Sequence, residues 1–374
     1  MALDSAALGL RVAQARQRSG LKQEQLARST GLERSAIAKI EIGARRVTAL
    51  ELARIAEAVG ERIEWFLEDA APAIVSHRNV IDPGEPSPRI DSAVDRVVRA
   101  VEFVAQYDAA LREGLRSAPV FDEPTSMAET ETLAGEARKL LGLDRDQPVH
   151  GLSSKLVAAG VLTFVIDLGS ESADAASVLL PAGAVAVVNG TLRTGRRRLA
   201  LAHEFGHVLI ADEYTVDWRV DSSTTDSREH AIDRFARALL LPRTSLDARW
   251  QEWGGAGGET VRAAAVRTAS HSRVDMSTLA RRLLDIDLID GGKAAFIRTI
   301  RTSRADIVEH DLVVADELQG GELPREYEAA VLRLFTSETV SDVRALDLLL
   351  DTWEADDLPP LASRGESEIW QFVS

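Results

Sequence analysis

The sequence predicts a multidomain, mostly α-helical protein, with an all-α N-terminal head, an α+β domain and an α/β C-terminal region. The length of 374 residues exceeds what one hydrophobic core usually serves. Apolar residues recur at helical spacing through most of the first 116 residues, and three short β-branched runs follow later. We predict these boundaries: head 1–67, linker 68–89, long helix 90–118, α+β domain 125–285 and C-terminal region 286–374.

Composition limits the kinds of site that the chain can carry. Apolar residues make up 45% and charged residues 28%, as in a globular protein. The absence of cysteine excludes disulfides, thiol nucleophiles and cysteine zinc sites, so a metal would need histidine and carboxylate ligands. Because we find neither a secretory signal nor an apolar run long enough to span a bilayer, we expect a cytoplasmic protein without a membrane partner.

Charge is distributed unevenly along the chain. Residues 1–64 contain 11 Lys and Arg against 8 Asp and Glu, although the whole chain has a net charge of −15. The remainder therefore carries about −18. This asymmetry favours a DNA-contacting head on an acidic body.

The head and the segments behind it differ in pattern. Short helical periods in the head are separated by glycines, whereas residues 68–89 are rich in proline and read as a linker. From Ile90 to about Arg116 the apolar residues again follow one side of a helix. That helix either packs on its own domain or pairs two copies in a homodimer.

The rest of the chain mixes strands and helices. We predict strands at Val161–Leu168, Val178–Leu180 and Ala184–Val188. Helices are expected at about 128–142, 151–160, 195–211, 226–240, 256–268 and 275–284. In the C-terminal region we predict strands at Ala294–Ile300 and Asp306–Val314, and helices at Tyr327–Phe335 and Val340–Thr352.

One predicted helix contains His203, Glu204 and His207 in the spacing H-E-x-x-H. On a helix, positions i and i+4 share a face, so two imidazoles can reach one cation while the glutamate stands beside them. From Leu199 to Ile210 the flanks carry no charge apart from the motif, as a buried helix requires. The spacing therefore predicts a metal-binding helix.

A catalytic zinc also needs a third protein ligand and an open position. The predicted helix at about 226–240 offers Glu229 as the best-placed acid. Asp221, shortly before this helix, and Asp226 are alternatives. Asp233, one turn after Glu229, lies on the same face. We expect it to accept the second N–H of a ligating histidine.

The two helices together resemble the ImmA/IrrE family of metallopeptidases. The runs are Leu-Ala-Leu-Ala-His-Glu-Phe-Gly-His-Val-Leu and Glu-x-x-x-Asp-Arg-Phe-Ala-x-x-Leu-Leu-Leu-Pro, and the resemblance covers roughly 125–245. It implies a gluzincin-like zincin domain with His203, His207 and Glu229 on zinc, or on manganese as an alternative, and Glu204 as general base. The family often has asparagine where this chain has Asp233.

Hydrolysis of a peptide bond needs two further functions. The general base takes a proton from the attacking water and passes it to the leaving amine, which is the role expected of Glu204. A donor must also stabilise the oxyanion. His230, Tyr214 and His271 are candidates.

In the head, residues 21–46 resemble the phage-repressor-like (XRE-type) helix-turn-helix family. Ala27 is small where two helices meet, Gly31 makes the turn, and Ile37 and Ile40 bury the second helix. The resemblance implies that the head binds double-stranded DNA. The residues expected at bases are Arg34, Ser35 and Lys39, and those expected at phosphates are Gln23, Arg45 and Arg46.

Two functions remain open from the sequence. In the first, a zinc-dependent endopeptidase is coupled to transcriptional regulation and cuts a repressor- or antitoxin-like protein, or its own linker at 68–89. In the second, the chain is a DNA-binding regulator whose zincin domain senses or scaffolds without turnover. An intact Glu204 favours the first, because a scaffold has no need of a general base.

Overall fold

A computed structural model of the chain describes residues 4–19, 21–59, 63–67, 76–78, 88–170, 172–211, 222–254, 258–312 and 316–361. The helices of the head are α1 (Ser5–Arg18), α2 (Gln23–Thr30), α3 (Arg34–Glu41), α4 (Ala49–Val59) and α5 (Ile63–Leu67). The strands are β1 (Ser76–Arg78), β2 (Val161–Ile166), β3 (Ala175–Leu179) and β4 (Ala184–Asn189).

Helices surround the strands in sequence. Before β2 come α6 (Pro88–Tyr107), α7 (Ala109–Gly114), α8 (Met127–Leu140) and α9 (Leu152–Ala158). After β4 come α10 (Thr194–Leu209), α11 (Ser222–Leu240), α12 (Arg243–Glu252), α13 (Gly258–Ser272), α14 (Met276–Asp285), α15 (Gly291–Thr299), α16 (Arg304–Glu309), α17 (Arg325–Thr336) and α18 (Asp342–Leu348). The molecule is mostly α-helical and multidomain, as the sequence predicts, and no described helix is long and apolar enough to cross a membrane.

The head has its own hydrophobic core, in which α1 to α5 all take part. Ala27 is 4% exposed, and Ile37 and Ile40 are completely buried. Gly31 ends α2 in the left-handed conformation, with φ of 70°, which glycine adopts without steric cost. These contacts confirm the predicted arrangement of α2, turn and α3.

The four strands form one sheet in the order β1-β3-β4-β2. β2 runs parallel to β4, whereas β3 is antiparallel to both β4 and β1. The three predicted strands correspond to β2, β3 and β4, and β1 comes from the segment that we predicted to be a linker.

Side chains on both faces of β2, β3 and β4 are buried. Val161, Ala175 and Ala186 belong to one core, together with side chains of α8 to α15. The alternate residues of the strands, such as Phe164 and Val185, belong to a second core with α6, α17 and α18. The sheet is thus the middle layer. α10, which carries the H-E-x-x-H motif, packs in the core on one face of it.

Both strands that we predicted in the C-terminal region are wrong. The segments predicted as Ala294–Ile300 and Asp306–Val314 instead hold α15 and α16. Local caps explain the difference: the Asp290 side chain accepts from Lys293 N, and Ser303 forms a capping box with Asp306. The described part of this region is helical rather than α/β.

The long helix is shorter than the predicted 90–118. It ends at Tyr107, where Asp108 adopts an extended conformation and caps α7 by accepting from Leu111 N. The apolar side of α6 is buried in the core that it shares with α17 and α18. Packing against helices of the same chain therefore explains its apolar residues. Residues 323–350 therefore join the 90–118 segment in one core, although we predicted separate units at these positions.

Candidate metal centre and nucleic-acid interface

Helix α10, which carries the H-E-x-x-H motif, is fixed at its buried N-terminal half. The Arg198 side chain is fully buried, and its guanidinium contacts the Glu317 carboxylate and the Val149 carbonyl oxygen. A buried guanidinium would be costly without such partners. These contacts attach α10 to two loops one turn before His203.

α11 crosses α10 at Gly206, within the motif. A β-carbon at this position would lie 2.9 Å from Ile232 Cγ2 and 2.9 Å from Phe235 Cδ1. A β-carbon at such distances would require Ile232 and Phe235 to move. Glycine therefore permits the close approach that brings the first half of α11 over the two histidines.

Three predicted ligand residues converge at this crossing. Atoms of His203, His207 and Glu229 that can hold a metal all lie within 4.8 Å of one another. The Nε2 atoms of the two histidines are 3.1 Å apart. Glu229 Oε2 lies 3.1 Å from His203 Nε2, and Glu229 Oε1 lies 3.5 Å from His207 Nε2.

The donor set fits a divalent cation. The Nδ1–H of His203 donates to Asp233 Oδ1 at 2.9 Å, because an ionised carboxylate can only accept. This hydrogen bond leaves the lone pair on His203 Nε2, the atom that faces His207 and Glu229. Two imidazoles and one carboxylate with a carboxylate behind a histidine are the usual surroundings of zinc.

Glu229 has the charge that a ligand needs. Burial alone would raise the pKa of this carboxyl, but the neighbouring imidazoles of His203 and His207 hold it well below its usual range. The side chain is therefore a carboxylate at neutral pH.

Glu204 is held by a residue that the sequence analysis missed. Ser177 Oγ, on β3, donates to Glu204 Oε2 at 2.7 Å, and both side chains are completely buried. The other oxygen, Glu204 Oε1, has no hydrogen-bond partner among the described residues. Nothing local in the sequence marks Ser177, because the contact joins residues 27 positions apart.

The other predicted site residues are not part of this cluster of ligand atoms. His230 is exposed on α11, next to Glu229. His271 packs edge-on against Trp253, with the ring centroids 5.9 Å apart. Tyr214, Asp221 and the side chain of Asp226 lie outside the described residues.

In the head, α3 presents the predicted base-reading residues to solvent. Arg34, Ser35 and Lys39 are exposed, and so is Arg46 in the following loop. A side chain must be exposed in this way to contact a DNA groove or a phosphate.

Two residues predicted at phosphates are engaged within the head itself. Gln23 Nε2 donates to Glu41 Oε2 at 2.7 Å, and Arg45 Nη2 pairs with Glu51 Oε1 at 2.6 Å. Glu41 is also bound by Arg16, with Nε and Oε1 2.5 Å apart. Contact of Gln23 or Arg45 with DNA would have to share or break these interactions.

Two sequence profiles of known families match separate parts of the chain. The sequence profile described as "Helix-turn-helix" matches residues 12–66, and the profile described as "IrrE N-terminal-like domain", of the M78 peptidase family, matches residues 158–284. No curated protein matches the chain.

The search of solved structures found similarity to a controller protein. The restriction-modification controller protein C.AhdI from Aeromonas hydrophila is 31% identical, over 17% of this chain and 94% of its own, with a TM-score of 0.16. By the two profile matches, the chain contains an XRE-type helix-turn-helix domain and, behind it, an IrrE N-terminal-like domain of the M78 family, whose family membership implies a metal.

Proposed function

We propose that the chain is a zinc-dependent endopeptidase of the gluzincin type, coupled to transcriptional regulation through its DNA-binding head. His203, His207 and Glu229 hold the metal, and Glu204 is the general base. The substrate is a repressor- or antitoxin-like protein.

The convergence of three ligand atoms within 4.8 Å carries this proposal. Two of them come from α10 and one from α11, so the cluster exists only because the two helices cross at Gly206. A salt bridge kept for stability would not need two imidazole nitrogens facing each other at 3.1 Å. Ligand atoms that each lie about 2.0–2.1 Å from one zinc ion are separated from one another by such distances.

Zinc, when bound, polarises the scissile carbonyl and makes water a better nucleophile. The protein supplies the proton transfers. Ser177 occupies Oε2 of Glu204, so Oε1 is the atom that accepts a proton from water. Glu204 then returns this proton to the leaving amine, and His230, exposed beside Glu229, is our candidate donor to the oxyanion.

Asp233 completes the proposed site by fixing the ring of His203. Its Oδ1 accepts from Nδ1, and its Oδ2 lies 4.0 Å from Arg237 Nη1. Arg237 in turn donates to Asp285 Oδ2 at 2.9 Å. This chain of charges anchors the ligand helix to α14.

Incubation with candidate helix-turn-helix repressors tests the proposed function. The purified chain, supplied with zinc or manganese, is expected to cut at least one of them, as seen on a gel. Glu204→Gln is expected to bind metal normally and to cleave at least ~100-fold more slowly. Glu326→Gln, which changes an exposed glutamate on α17, is the matched control and should cleave like the parent.

Two outcomes would contradict the proposal. Cleavage by Glu204→Gln at the parent's rate would remove this residue as the base. Specific DNA binding without any cleavage, in the presence of either metal, would favour a regulator that does not turn over substrate.

A further inference from the structure

A cavity of about 300 Å³ lies between α11 and α14, and its walls are rich in arginine. The lining residues are Ser227, His230, Arg234 and Arg237 from α11 and Arg281 from α14. Those on α11 follow one another at spacings of three or four positions, so they share one side of the helix. This basic cavity is separate from the cluster of ligand atoms.

The cavity side of α11 is next to the side that carries the proposed metal ligand. Glu229 and Asp233 face His203, and each is directly followed in the chain by a cavity residue, His230 or Arg234. Successive residues of a helix are rotated by about 100°, and Arg234 lies about 7.5 Å along the axis from Glu229. An extended peptide spans this distance with about two residues. The cavity is therefore within reach of a substrate residue close to the scissile bond.

The acids beside the cavity neutralise two of its three arginines. Asp285 Oδ2 accepts from Arg237 Nε at 2.9 Å, and Asp285 Oδ1 lies 3.2 Å from Arg281 Nε. Asp233 Oδ2, at 4.0 Å from Arg237 Nη1, is a second acid beside the same arginine. Arg234 has no ion-pair partner among the described residues, and its buried Nε has no hydrogen-bond partner there either.

The unpartnered guanidinium indicates the chemistry of a ligand. A buried N–H donor is costly until it finds an acceptor. Arginine presents its N–H groups in a planar fork, which matches the two oxygens of a carboxylate. Asp285 already uses both of its oxygens in this way between Arg237 and Arg281. A second carboxylate, supplied from outside, would pair Arg234 as well.

We propose that this cavity is a subsite for an aspartate or glutamate side chain of the substrate protein, with Arg234 as the residue that binds the carboxylate. Arg281, whose side chain is 54% exposed, adds positive charge at the mouth. The subsite would select which peptide bond is brought to the metal centre. The proposal rests on the proposed peptidase function for naming the ligand a substrate, but not for the binding of a carboxylate.

Peptide binding to the full-length chain tests the subsite without any cleavage. The probes are two end-blocked fluorescent peptides, one of alternating alanine and glutamate and the other of alternating alanine and glutamine. Fluorescence anisotropy measures their affinities in the presence of zinc and in the Glu204→Gln background, in which we expect the probes to stay uncut. The glutamate peptide should bind at least ~10-fold more tightly than the glutamine peptide, because a hydrogen bond to a charged group contributes about that much.

Substitution of Arg234 in the same background identifies the cause of this preference. Arg234→Glu should abolish the preference, and Arg234→Gln, which changes the fold less, should reduce it at least several-fold. The matched control is Arg298→Glu, which makes the same change of charge at an exposed arginine of α15 and should keep the preference. Binding of glutamate to the metal itself would be equal in all these proteins, so the comparison isolates the cavity.

Two results of the binding experiment would overturn the subsite. The first is a preference for glutamate that is the same in Arg234→Glu, Arg234→Gln and Arg298→Glu. The second is displacement of the glutamate peptide by inorganic phosphate at equal concentration, which would make the cavity a site for free anions. Neither result depends on whether the chain is a peptidase.

Cleavage of a random peptide library tests the consequence for specificity. The parent should cut most often where an aspartate or glutamate stands at one fixed distance from the scissile bond. Arg234→Glu should shift that position several-fold toward lysine and arginine, whereas Arg298→Glu should not. Cleavage by the parent without an acidic preference overturns the assignment to the substrate, and cleavage by none of the proteins is the failure of the proposed function alone.

Discussion

Ser177 holds Glu204 through a single hydroxyl group, and removal of that hydroxyl tests its role. Ser177→Ala takes away the hydrogen bond to Glu204 Oε2 and leaves a buried carboxylate without this donor. We expect kcat to fall about 10- to 100-fold while metal content stays the same, because partners behind catalytic residues typically have effects of this size.

The matched control for Ser177→Ala is Thr163→Val on β2. Thr163 Oγ1 is buried and has no partner among the described residues. Its removal should leave the rate and the metal content unchanged. A loss of metal in Ser177→Ala, or equal losses of rate in both variants, would contradict the positioning role of Ser177.

The crossing of α10 and α11 makes its own prediction at the scale of elements. Gly206→Ala would push Ile232 and Phe235, and with them α11, away from α10. We therefore expect a loss of about 1–3 kcal/mol of stability and at least tenfold weaker metal binding. Thermal unfolding and a metal titration measure the two effects.

Gly135→Ala on α8 is the control for this substitution. A β-carbon there has no atom within 4 Å, so alanine should stabilise the helix by about 0.5–1 kcal/mol. If Gly206→Ala behaves in the same way as Gly135→Ala, the close approach of the two helices does not hold the ligands together.

Asp108 connects α7 with α17. Arg333 donates to both of its carboxylate oxygens, at 2.7 and 2.8 Å, and this ion pair lowers the pKa of Asp108. A lowered pKa in the folded state means that the pair stabilises the fold above about pH 4, the value of an unfolded aspartate, and is lost as the pH falls.

The pH dependence of stability tests this connection. Asp108→Asn should be less stable than the parent by about 1 kcal/mol at pH 7, since Arg333 is half-exposed and water screens the pair. The difference in the free energy of unfolding should shrink as the pH is lowered below 4. A difference that stays constant down to pH 2 would show that charge is not its cause.

At the scale of the elements, sequence patterns identified what is local. The metal helix was predictable because its ligands lie at i and i+4, and the head because its glycine and apolar residues follow helical spacing. The pairing of β1 with β3 and the contact of Ser177 with Glu204 were not, because they join residues far apart in the chain. The segments of α15 and α16 resemble strands in their apolar and β-branched residues, but the caps Asp290 and Ser303 start helices there.

At the scale of the whole molecule, the basic head and the acidic remainder predict salt-dependent DNA binding. Arg46 is exposed and is the best candidate for a phosphate contact, whereas Arg45 is paired with Glu51. Arg46→Ala should weaken binding to all duplexes and reduce the slope of log K against log salt by about 1. Arg325→Ala, at the start of α17, is the control, and an unchanged slope in Arg46→Ala would remove this residue from the interface.

The cores show how the parts of the chain are assembled around the site. One core joins the sheet to the ligand helices, and the other joins it to α6, α17 and α18. The C-terminal helices therefore support the sheet from behind, and the sheet supports Ser177 and Glu204. This arrangement makes the geometry of the site depend on segments that contribute no ligand.

Metal content of the purified chain tests the central claim most directly. The parent and Glu204→Gln should each hold about one equivalent of zinc or manganese, since the base is not a ligand. His207→Ala and Glu229→Ala should each lose it while remaining folded, as judged by circular dichroism. Equal metal content in all four proteins would contradict a metal centre at the crossing of α10 and α11.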